Sequence, residues 1–203
     1  MKFKHGDEID QNLCLMIRHE FLRCKEAFQD FIAAGQRLQQ GDETREVSYR
    51  AYNAYARFIL HLYEFLLACD QRTRGDTSEL KGGTADGVIA ASAQIAFRNA
   101  TAGFNAAALG AAPYNSGITE SIEGLKDFAT ALRRARNTAM GHVKHERAEL
   151  NLSDFYRKYH KYLLALYRGS VRMWGDIGEE FPQLGEVTAF SVLVRDTPPG
   201  AVS

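Results

Sequence analysis

Late in the chain, RNTAMGH places Arg136, Asn137 and His142 within a few residues of one another. A guanidinium offers a rigid fork of donors that fits phosphate oxygens, and an amide can orient its neighbours. An imidazole, with a reference pKa of about 6.5, passes protons near neutral pH. Together these groups suit cleavage of a phosphodiester. One such route would be internal attack, in which a ribose 2′-OH would attack the adjacent phosphorus, the 5′-oxygen would leave, and a 2′,3′-cyclic phosphate would remain. His142 is the candidate for proton transfer, as base or as acid, and Arg136 for the charge that builds on the phosphate. Asn137 would orient the phosphate or the histidine. DNA lacks the attacking hydroxyl, so this route selects RNA.

Spacing makes demands on the backbone. On an ideal helix, side chains six positions apart point about 120° away from each other and are separated by about 9 Å along the axis. Gly141 offers a place for the helix to end or deform just before His142. Both heads can then reach one cleft, or His142 of one subunit can oppose Arg136 of another across a twofold axis. The arginine also lies where an apolar stripe would continue, so it must be paired or line a cavity. A plain structural alternative therefore stands beside the catalytic one: Arg136 paired with a carboxylate such as Glu64, Asn137 and Gly141 as a helix-end device, and His142 in a C-terminal turn.

Charge is uneven around this run. Between 126 and 172 there are eleven Lys and Arg against four Asp and Glu, a net +7, in a chain whose total is zero. Arg133, Arg134, Lys144, His145 and Arg147 flank the motif and are candidate RNA contacts, although such charges also suit solvated helix faces. His142 and His145, followed by Glu146 and Glu149, could share a metal, but no second ligand cluster supports that, and no metal or cofactor is assigned. Phosphate-loop, dinucleotide, nucleophile-elbow and HExxH spacings are absent, as is any Glu-x-x-His pair. Cys14, Cys24 and Cys69 form no metal-ligand or paired pattern, which fits a reducing cytoplasm. The most apolar run, 58–69, is broken by His61 and Glu64, so no membrane association is expected, and MKFKHGDEIDQN contains no leader-like apolar stretch.

The elements that must hold these groups read as helices, and the fold class is all-α, a bundle of about five. Apolar residues recur three and four apart from Asp10 to Gly35 or Gly41, and again from about Thr44 to Cys69. The tyrosines of the second stripe read as core. QRTRGDTSELKGGTADG, 71–87, reads as a long loop. Asp86 is the expected cap of an alanine-rich third helix ending near Gly110 and Pro113, and Thr119 that of a fourth on Ile122, Leu125, Ala129 and Leu132. A fifth follows Ser153 or Asp154. The division expected is a bundle over 1–177 and an extension over 178–203, in which VTAFSVLV reads as a short extended segment packed on the bundle or a partner.

Arg136, Asn137 and His142, set in such a chain, resemble the R-x(4-6)-H signature of the HEPN superfamily of helical-bundle ribonucleases. Arg98-Asn99, the other Arg-Asn pair, has no histidine at an allowed spacing and is assigned no role. The resemblance implies a metal-independent endoribonuclease with an RNA substrate, active as a homodimer with its two motifs facing one cleft. It further implies a toxin or phage-defence effector, with an antitoxin or regulatory protein as a partner. The competing class is a HEPN-like module without catalysis, which dimerises and binds nucleotide or RNA alongside another protein.

Overall fold

The computed structural model describes residues 1–106, 122–140, 150–173, 181–182 and 184–196. Among them the fold is all-α, with six helices: α1 (Glu8–Gln39), α2 (Arg45–Arg74), α3 (Gly83–Ala106), α4 (Ile122–Met140), α5 (Leu152–Met173) and α6 (Gly185–Asp196). No helix among the described residues is long and apolar enough to cross a membrane.

Helices α1 and α2 form a long antiparallel hairpin, and α3, α4 and α5 pack against α2 and one another. Asp7 caps α1 by accepting from the Asp10 amide, Thr44 caps α2, and Asn151 accepts from the Asp154 amide at the start of α5. Aromatic side chains fill the centre. Phe58 lies between Phe28 and Tyr167, at 4.9 and 5.6 Å between ring centroids, and Phe128 stacks on Tyr162 at 5.0 Å. Phe21, Phe58, Phe65 and Phe128 are fully buried, each removing apolar surface worth about 1.5–3 kcal/mol.

Helix α1 runs straight through Gly35, and α2 continues five residues beyond Cys69 although its apolar stripe has ended. Side-chain bonds sustain that last stretch. Arg74 reaches back one turn to Asp70, Thr73 donates to the Cys69 carbonyl, and Arg72 donates to the buried carboxylate of Asp10 on α1. Gly75 then stops the helix in a left-handed conformation, φ 61°. Its amide bonds to the Arg72 carbonyl and that of Asp76 to Gln71, the paired bonds of a Schellman motif. A side chain at 75 would suffer twice, from that φ and from the Phe3 carbonyl 3.1 Å from the Cβ position. The expected 71–87 loop is thus only 75–82. Phe3 and Met1 hydrogen-bond along its first part, at Gly75 and Thr77.

Two further expectations are corrected. Asp86 does not cap α3, because the helix begins three residues earlier and the carboxylate is drawn instead to α4. VTAFSVLV is not extended but forms most of α6. Val187, Phe190 and Val194 also satisfy helical spacing, so β-propensity did not decide the conformation. Among the described residues α6 packs on none of the other five helices, and Phe190 and Leu193 are exposed. The predicted caps and breaks at Gly110, Pro113 and Thr119 lie outside the described residues.

Candidate functional site

Helix α4 buries Leu125, Phe128, Ala129, Leu132 and Ala135. The next positions on the edges of that stripe are arginines, and the neighbouring helices supply carboxylates for both. Arg133 forks onto Asp86 of α3, with Nε 2.8 Å from Oδ1 and NH2 2.9 Å from Oδ2, and Thr130 adds a third bond at 3.1 Å. Arg136 turns the other way, onto Glu64 of α2: Nε donates to Oε1 at 2.8 Å and NH2 to the same oxygen. NH1 of Arg136 donates to the Asn137 amide oxygen at 2.9 Å, and the guanidinium lies 5.6 Å from the ring centroid of the buried Tyr63, within cation–π range.

Tyr63, Glu64, Arg133, Arg136 and Asn137 line a cleft of about 330 Å³. Glu79, Leu80 and Lys81, from the connection before α3, and Gln71 of α2 also line it. The bonds to Glu64 and Asn137 occupy three of the five guanidinium hydrogens of Arg136. One on NH1 and one on NH2 have no assigned acceptor among the described residues. Asn137 is exposed and accepts through its oxygen, and its amide nitrogen has no acceptor among the described residues. The Arg136–Glu64 pair is about one third exposed on each side, so solvent and ligands can reach it.

Of the residues singled out in the sequence, Arg136 and Asn137 are bonded to each other at the cleft. Arg133 also lines it, but its guanidinium is engaged by Asp86, which suits a brace between helices better than an RNA contact. Arg134 is exposed and does not line the cleft; it lies two residues from Arg136, on the far side of α4. His142, Lys144, His145 and Arg147 lie outside the described residues. Sequence reasoning named Glu64 as an example of a carboxylate that could pair with Arg136, in the structural alternative. It missed Tyr63, which reads as core, and Asp86, which resembles a cap. Among the described residues no group of three His, Cys, Asp or Glu side chains is placed to hold a metal ion.

Asp86 connects the site to folding stability. The hydrogen bond from Arg133 holds its carboxyl below the usual value of 3.8, against the opposing effect of burial. A depressed acid contributes stability that is present above about pH 4 and is lost as pH falls through its folded value. The melting temperature is therefore expected to drop on acidification below about pH 4. Asp86→Asn is expected to destabilise the protein by about 2 kcal/mol at pH 7 and to flatten that acid dependence, as thermal melts across pH would record. The chain matches no protein-family model, no curated protein and no solved structure, so a functional reading rests on these side chains themselves.

Proposed function

We propose that this chain is a metal-independent endoribonuclease of HEPN type that cuts RNA by internal 2′-OH attack. The bond between O2′ and phosphorus forms as that between phosphorus and O5′ breaks. The 2′-OH proton passes to a base and O5′ takes one from an acid, with His142 performing one of these transfers. Arg136, through the two hydrogens that have no acceptor among the described residues, stabilises the charge that develops on the phosphate. Glu64 acts as a positioning residue that fixes the plane of the guanidinium. The nucleophile belongs to the substrate, so no metal-bound hydroxide is needed. The observation that carries this reading is the Arg136–Asn137 hydrogen bond on the wall of an open cleft, in a motif that ends at His142. The wider reading is a homodimeric toxin or phage-defence effector restrained by an antitoxin or regulatory protein.

One observation favours the second class, a non-catalytic RNA- or nucleotide-binding module: Arg136 spends two nitrogens on Glu64, as a purely structural arginine would. Incubating purified protein and its His142→Ala variant with structured RNA in EDTA separates the two. An enzyme yields fragments ending in 2′,3′-cyclic phosphate that the variant does not produce, whereas a binding module yields none from either protein.

Glu64 supplies a finer prediction. Glu64→Gln removes a negative charge beside the scissile phosphate and loosens the guanidinium. RNA binding is then expected to hold or tighten while kcat falls about tenfold, the cost of a misplaced transition-state contact. Steady-state kinetics would show this as a lower kcat without a higher KM. A higher KM at unchanged kcat would assign Glu64 to substrate binding instead.

A further inference from the structure

A second concave surface lies between the C-terminal half of α1 and the N-terminal half of α2. It encloses about 680 Å³, and its lining includes Arg37, Arg50, Arg57, Asn53 and Tyr49. The buried Val47 and Ala34 are part of its lining beside Asp30, and the three guanidiniums at it are each paired with a carboxylate. Arg37 is held by Asp42, Arg50 by Glu46 at 2.6 Å and Arg57 by Asp30 at 2.7 Å. Exposed pairs of this kind contribute little in water, and a phosphate can take over the fork. Tyr49, which also lines the trough, is 68% exposed, so its ring is accessible to a stacking base.

Register on α2 connects this trough to the Arg136 cleft. Arg50, Arg57 and Glu64 are seven residues apart, so they follow one side of the helix with a drift of about 20° per step. The fourteen residues from Arg50 to Glu64 cover about 21 Å. An extended strand lying along this edge of α2 would meet the arginines of the trough and then the guanidinium of Arg136.

We propose that the α1–α2 trough is a substrate track, binding the backbone of single-stranded RNA on Arg37, Arg50 and Arg57 and a base on Tyr49, and delivering the strand to the Arg136 cleft. The assignment of the strand as substrate rests on the ribonuclease reading, whereas binding in the trough can be measured without it.

The test uses the full chain carrying His142→Ala, so that the RNA stays intact, and follows the anisotropy of a fluorescein-labelled 20-nucleotide single strand in EDTA. Adding Arg50→Gln and Arg57→Gln keeps good helix formers at exposed positions, and an unchanged melting temperature would verify the fold. Kd is expected to rise at least tenfold, and the slope of log K against log salt to flatten by about 1.4, for two lost phosphate contacts. Tyr49→Ala is expected to weaken binding about fivefold or more. A Kd within twofold of the parent, no binding by the parent, or a mononucleotide that competes as well as the strand would each overturn the track. The same arginine changes in the protein with His142 intact distinguish this failure from failure of the nuclease reading. If the protein cuts RNA with unchanged KM, the track alone is wrong. If it cuts nothing yet loses RNA binding with the arginines, the nuclease alone is wrong.

Discussion

Replacing His142 with alanine is expected to lower the rate of RNA cleavage by about 10²–10⁴, the range that a positioned general acid or base contributes. Arg136→Ala is expected to cost about 10²–10³ for a lost transition-state contact, and Arg136→Lys to recover only part of it, because an ammonium cannot contact Glu64, Asn137 and the phosphate with one planar group. The double variant should lose much less than the product of the single losses, since the two groups serve one transition state. The assay is single-turnover cleavage of a labelled RNA in EDTA, alongside the same sequence in DNA, which should resist. Loss of the RNA–DNA difference, or cleavage unchanged in His142→Ala, would remove the mechanism. In cells, growth after expression of the wild type should be impaired relative to the His142 variant.

Phe58→Ala is expected to destabilise the protein by about 3–5 kcal/mol, the largest stability effect anticipated for a single side chain here. The ring is fully buried where α1, α2 and α5 meet, against Phe28, Tyr55 and Tyr167, and truncation would leave a void lined by aromatic rings too large to close over it. In a chain of this length that corresponds to a fall in Tm of about 6–20 °C. Phe58→Leu, which refills much of the space, should cost much less. Chemical denaturation and thermal melts would measure both, and a loss under about 1 kcal/mol for the alanine variant would mean that the site collapses without difficulty. The His142 variant should show the opposite profile, an unchanged Tm with activity removed.

Helical periodicity was legible over most of the chain because burying a stripe is what shapes α1, α2, α4 and α5. Leu125, Ala129, Leu132, Leu163 and Leu166 are buried as their spacing requires. The errors share a cause. Apolar spacing ends at Cys69, yet α2 continues to Arg74 on ion pairs and hydroxyl bonds that periodicity does not encode. Asp86 has the residue type of a cap, and only the packed α4 shows that its partner is Arg133. Val187 to Val194 favour strands intrinsically but fit a helix equally in spacing, so a short run left the choice open. At the site, the arginine, the asparagine and even the carboxylate opposite could be read from residue types. The cleft could not, because part of its lining comes from a connection that Gly75 and the first three residues hold in place.

The two braces of α4 also limit how that helix can move. Arg133 and Arg136 are one turn apart and grip different neighbours, α3 on one side and α2 on the other. The buried stripe already fixes which face of the rod turns inward, and the two tethers, diverging to opposite neighbours, hold its two edges in place. Asn137, bonded to the second of these arginines, therefore sits on a helix edge whose position is set by both neighbours at once.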